Sequence, residues 1–149
     1  MGKKLKHALL TAVSILLVLV IIQAIPYGRN YTNPPVVREP SWDSPATRAR
    51  AKRACFDCHS NETIWPWYSR VAPVSWLVRY DVDEGRRELN FSDWRNGTRE
   101  GERSDKISGE IAEGSMPPFI FRLTHPEARL SDAEKSRLMD GLLATSLRR

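Results

Sequence analysis

The chain has two cysteines, and they stand three positions apart in Cys55-Phe56-Asp57-Cys58-His59. Cys-x-x-Cys-His is the spacing at which two thiols reach the two vinyl groups of one haem and form thioethers. The histidine after the second cysteine is then held under the iron. Moving that histidine by one position would carry its ring off the haem axis. Two other chemistries use the same atoms. A redox dithiol holds a thiolate at a helix N-terminus, but no βαβ pattern surrounds these cysteines. A structural zinc site needs four ligands. Cys55, Cys58, His59 and His125 could supply them, although no second closely spaced pair exists. The spacing favours one covalent c-type haem, attached at Cys55 and Cys58, with His59 as proximal axial ligand.

A haem with one histidine has a sixth position, for which Met116, His125 and Met139 are candidates; His7 lies beyond the apolar N-terminal segment. Met116 is preferred, because Pro117 and Pro118 stiffen its loop just after a helix expected to stop at Gly114. Met/His ligation also raises the reduction potential. Met139 sits on an apolar helical stripe and reads as core. His125, in Thr-His-Pro, is the competitor, either as ligand or as a helix-end histidine bonded to backbone; an open or water-ligated site is the third possibility. Around the haem, Trp65, Trp67, Tyr68, Arg70, Trp76 and His125 are candidate pocket residues. Arg70 is either a propionate partner, as a guanidinium suits a carboxylate, or a plain surface arginine.

The elements that would position these residues read as helices. Ser44-Pro45 is an N-cap with a first-turn proline, opening a basic helix over Thr47 to Phe56 that delivers the cysteines at its end. Its basic residues form a solvated face or a dock for an acidic partner or the propionates. Ser60 to Val71 reads as a loop walling the haem, since Pro66 interrupts any regular helix. A second helix runs from about Val74 to Leu89, with Gly85 a mild defect in it. A third covers Ser104 to Glu113, with Ile107 and Ile111 as its apolar stripe. The Ser131–Glu134 capping box opens a fourth, to about Leu147. No strand signal of any length and no internal repeat occurs.

Net charge is +5, but Lys3, Lys4 and Lys6 precede an acid-free segment, and the remainder is only about +2. No clustered basic face points to nucleic acid. Ala8 to Ile25 is uncharged and long enough to cross a hydrocarbon core of about 30 Å. It is too long and bulky for a signal peptide's apolar region, and Ile22 spoils the best cleavage site, after Ala24. An uncleaved anchor is expected, with the lysines cytoplasmic. The remainder then faces the periplasm, where bacteria attach c-type haem. Pro26 to Asp43, rich in proline, reads as a spacer. The organisation expected is therefore an anchor over 1–25, a Pro-rich linker over 26–43 and a haem-binding domain over 44–149.

The strings CFDCHSNETIWPWYSRVAPVSWL, LNFSDW, MPPF and HPEARLSDAE together resemble the bacterial haem-binding domain proteins. These are small, usually membrane-anchored, single-haem c-type cytochrome-like proteins. The resemblance runs from about Trp42 to the end of the last helix. It implies covalent haem at Cys55 and Cys58 with His59 as axial ligand, and Met116 stands where the family's Met-Pro motif stands. The fold expected is all-α: a small cytochrome c-like haem domain of about four helices behind one transmembrane helix. The function expected is a membrane-tethered periplasmic cytochrome that transfers electrons in a bacterial cytoplasmic membrane, its redox partner protein unnamed by the sequence. The alternative is a haem-based sensor or peroxidase-like protein with a displaceable sixth position.

Overall fold

The computed structural model describes residues 2–148. Among them the regular structure is helical, with no named strand and one isolated parallel bridge between Arg38 and Asp93. The chain divides into two compact units, one of residues 1–31 and 65–80, the other of residues 32–64 and 81–149.

The first unit is built on α1, Lys3–Ile22, a 20-residue helix with no buried residue. Its length and composition allow it to cross a membrane. It starts before the apolar run, because leucine and lysine are good helix formers. It ends at Ile22, and Gln23 forms its C-cap, with the side-chain Nε2 donating to Leu19 O at 2.9 Å. The unit also contains a tight turn of Trp67–Arg70 and the start of a later helix.

In the second unit, α2 spans Pro45–Ala54, capped as expected by Ser44, whose Oγ accepts the Thr47 N–H at 3.2 Å. The helix does not run through to the cysteines. Cys55 (φ −127°, ψ −31°) breaks it, and a four-residue helix, α3 (Phe56–His59), starts anew. Three of the four basic side chains of α2 are paired within the unit. Arg48 pairs with Glu39 at 2.5 Å, Lys52 with Glu62 at 3.1 Å, and Arg53 with Glu134.

Next come α4 (Val74–Glu88), which begins in the first unit, then α5 (Ser104–Ala112), α6 (Phe119–Thr124) and α7 (Asp132–Ser146). The capping box at the start of α7 forms in both directions between Ser131 and Glu134. The short α6 and the break at Cys55 have no counterpart among the expected elements.

The core of the second unit joins Ala51, Phe56, Leu89, Phe91, Trp94, Ile107, Ile111, Leu138 and Leu142, with Met139 packed against it. Phe91 stacks on Phe56 at 5.5 Å and on Trp94 at 6.0 Å, and lies 5.2 Å from Trp42. Trp42 and Trp94 thus belong to the protein's own core. The Pro-rich stretch ahead of α2 is not a free spacer. Val37 and Arg38 N–H donate to Ser92 O at 2.8 and 3.0 Å, and Arg38 O accepts from Trp94 N–H at 2.9 Å. The Val36 and Val37 side chains stay exposed; the backbone, which proline leaves extended and unpaired, makes the bonds.

Packing of α2 on α7 depends on Gly141. A Cβ there would lie 2.1 Å from Thr47 Oγ1, a side chain that is itself buried. Gly141→Ala is expected to lower stability by about 1–3 kcal/mol through overpacking, despite alanine's better helix propensity of about 1 kcal/mol. Thermal unfolding would register this as a clear drop in Tm; an unchanged or higher Tm would refute it.

Candidate haem site

The break at Cys55 turns the cysteine motif into a single helical turn. Cys58 N–H and His59 N–H both donate to Cys55 O, at 3.2 and 2.8 Å. Phe56, between the cysteines, points into the core and is 1 % exposed. That leaves Cys55, Cys58 and His59 half-buried on the turn, and both thiols free.

Residues downstream of the motif hold the turn in place. Asp57 Oδ1 accepts the Ile64 N–H at 2.9 Å, and Thr63 Oγ1 donates to Asp57 O at 2.8 Å. The Arg86 guanidinium donates to Ser60 O at 2.8 Å and to Thr63 Oγ1 and Asn33 Oδ1, both at 2.9 Å. Phe91 N–H donates to His59 O at 2.8 Å. Residues 60–64 therefore form an ordered strap rather than a slack loop.

His59 Nδ1 lies 2.9 Å from Gly85 O and 3.2 Å from Leu89 O. Carbonyls only accept, so Nδ1 carries the proton and the lone pair is left on Nε2. Burial lowers the pKa of this ring, opposed by the two carbonyls; the imidazole is neutral, the form that ligates iron. A backbone carbonyl on the outer nitrogen is the arrangement that fixes a ligating histidine's orientation. The approach is possible because residue 85 has no side chain: a Cβ on Gly85 would lie 2.6 Å from Cys58 O.

Two free thiols and a neutral, tautomer-fixed imidazole on one turn fit the donor set that a c-type haem requires. The sequence model of the haem-binding domain family matches residues 17–144. The chain belongs to the haem-binding domain family. No curated protein and no solved structure gave a match.

In this haem-binding domain the competing chemistries of the motif fare poorly. A redox dithiol needs a thiol pKa lowered from the ordinary range; burial pushes Cys55 and Cys58 up, each to about 12. For zinc, no group of three or more His, Cys, Asp or Glu among the described residues is placed to hold a metal ion.

The other candidates fall into two groups. Met116 is half-buried in the same unit as the motif, its N–H donating to Glu110 O at 3.1 Å beyond the positive-φ turn at Gly114 (φ 78°). His125 stacks on Phe121 at 4.0 Å, with Nδ1 3.2 Å from Phe121 O and 3.0 Å from Thr124 Oγ1. It also lies close enough to Asp57 to oppose the upward push of burial on that carboxyl. Trp65, Trp67, Tyr68, Arg70 and Trp76 all belong to the first unit. There Trp65 packs edge-on to Tyr31 at 5.7 Å, and Arg70 lies over the Tyr31 ring at 5.6 Å. The indole nitrogens of Trp65 and Trp76 are buried with no hydrogen-bond partner, whereas Trp67 is 78 % exposed.

Sequence reasoning missed Gly85 and Leu89. Both act through backbone oxygens, which any residue possesses. The one available signal was the glycine itself, in a helix where alanine would be better by about 1 kcal/mol.

Proposed function

We propose that this haem-binding domain is a membrane-tethered, periplasmic c-type cytochrome that transfers electrons. Cys55 and Cys58 would hold one haem through thioether bonds, and His59 Nε2 and Met116 Sδ would ligate its iron. Residues 1–25 serve as the anchor, 26–43 as a Pro-rich strap and 44–149 as the haem carrier. The observation that carries this reading is the His59 ring, held by Gly85 O and Leu89 O beside two free thiols.

Bound there, haem would supply a one-electron Fe(III)/Fe(II) couple. The chain's own part is to hold it. The core position of Phe56 fixes the turn that presents both sulfurs, and the Gly85 and Leu89 carbonyls orient the imidazole and raise its basicity. A rigid mount of this kind keeps the geometry constant between oxidation states. Retention of the anchor is supported by the family match, which reaches into α1, and by the bonding of Gln23 to Ala72.

The test is the absorption spectrum of the full chain matured in a bacterial host with cytochrome c maturation, oxidised and then reduced. Expected are a sharp low-spin reduced spectrum, haem that resists acid extraction, and a weak far-red band in the oxidised protein from Fe(III)–thioether ligation. A high-spin spectrum with rapid carbon monoxide binding would replace the carrier with a sensor or peroxidase-like protein. Colourless protein would remove the proposal.

A further inference from the structure

At 1.5 Å per residue the 20 residues of α1 span about 30 Å, the thickness of one hydrocarbon core. Lys3, Lys4 and Lys6 mark one end. Gln23, the first polar residue after Ser14, marks the other and so stands at the hydrocarbon–headgroup boundary. Its amide is bonded to Ala72 through both of its polar atoms. Nε2 donates to Ala72 O at 2.9 Å, and Oε1 accepts the Ala72 N–H at 3.0 Å. Ala72 therefore sits at the depth of Gln23. A second contact lies at Gly28 (φ 80°), where a Cβ would be 2.6 Å from Ser75 O.

The side chains flanking Ala72 are apolar and uncovered. Val71 and Val74 are nearly half exposed, as are Ile25 and Tyr27, and Trp67 is more open still. In water such a cluster would be a liability. At a bilayer interface it matches the preference of tryptophan and tyrosine for the headgroup level. Charge agrees. Residues 1–31 and 65–80 contain no Asp or Glu, and beyond α1 they carry Arg29, Arg70 and Arg79. A one-sided positive charge of this kind favours anionic lipid.

We propose that the Trp65–Tyr80 segment is an interfacial anchor. Trp67, Val71 and Val74 enter the headgroup region of the bilayer that α1 crosses, and Arg29, Arg70 and Arg79 meet phospholipid phosphates. The inference rests on the reading of α1 as a membrane span. It adds a second, surface-lying contact, so that the tether is a helix with a foot rather than a helix alone.

The test uses the full, haem-loaded chain in vesicles of phosphatidylcholine and phosphatidylglycerol. A trace phosphatidylcholine carries a diazirine near the glycerol end of one acyl chain. After irradiation, peptide mass spectrometry is expected to find lipid adducts in α1 and also within residues 65–80. The second set should fall several-fold in a Val71→Ser, Val74→Ser variant with an unaltered haem spectrum. Adducts in α1 alone would overturn the interfacial anchor and leave the span standing. Adducts in neither, as for a lobe covered by a protein partner on an unembedded chain, would overturn both. An undiminished yield in the double variant would overturn the assignment to those side chains.

Discussion

Gly85→Ala is expected to cut haem incorporation roughly tenfold and to lower Tm. The added Cβ would lie 2.6 Å from Cys58 O and 3.1 Å from Cys58 Cβ. The first of these atoms is backbone and cannot swing aside, so α4 must move off the motif. Overpacking of this kind costs about 1–3 kcal/mol, and 1.4 kcal/mol is about a decade in an equilibrium. Displacing α4 also withdraws the carbonyls of Gly85 and Leu89 from His59 Nδ1, releasing the ring's orientation. Gly109→Ala is the control. That glycine lies within α5, where a Cβ would meet nothing within 4 Å, so the same substitution should be neutral or slightly stabilising. Haem absorbance per chain, read beside thermal unfolding, separates the two. Equal haem content in both variants would show that α4 does not mount the motif.

Met116→Ala is expected to leave haem attached but to abolish the far-red thioether band and lower the reduction potential. A fall beyond about 59 mV is a decade in a one-electron equilibrium, and loss of a thioether ligand acts in that direction. His125→Ala should change neither, because His125 is already engaged with Phe121 and Thr124. Potentiometric titration of the three proteins distinguishes the ligands. If His125→Ala moves the potential and Met116→Ala does not, the assignment is reversed.

The legible parts of the fold were those with local causes. The Ser44 cap, the Ser131–Glu134 box, the Ile107/Ile111 stripe and the apolar run of α1 each announce themselves within a few residues. The break at Cys55 did not, because it is enforced by Phe56 packing on Phe91, a partner distant in sequence. The Pro-rich stretch misled for a related reason. Proline forbids helix but says nothing about whether an extended backbone stands free or bonds to Ser92 and Trp94. At the site, the spacing of the cysteines and histidine is in the sequence, and the structure sets all three on one helical turn. The carbonyls that fix His59 were not legible there, since they depend on where α4 comes to rest. Gly85, read as a defect, is where the fold brings α4 against the motif.

The place of Phe56 bears on the order of events in biogenesis. The residue between the two thiols is sealed in the interior, flanked by Ala51 and Ala54, which are also buried. Any attachment of a porphyrin to both sulfurs would take place on a turn whose central phenyl ring packs against Phe91 and Trp42 in the folded chain. The native state thus seals the residue between the two thiols while leaving both sulfurs half-buried. If the thiols carry haem covalently, as proposed, collapse and attachment would compete. Variants that slow closure around Phe91 should raise the yield of coloured protein even while weakening the finished domain.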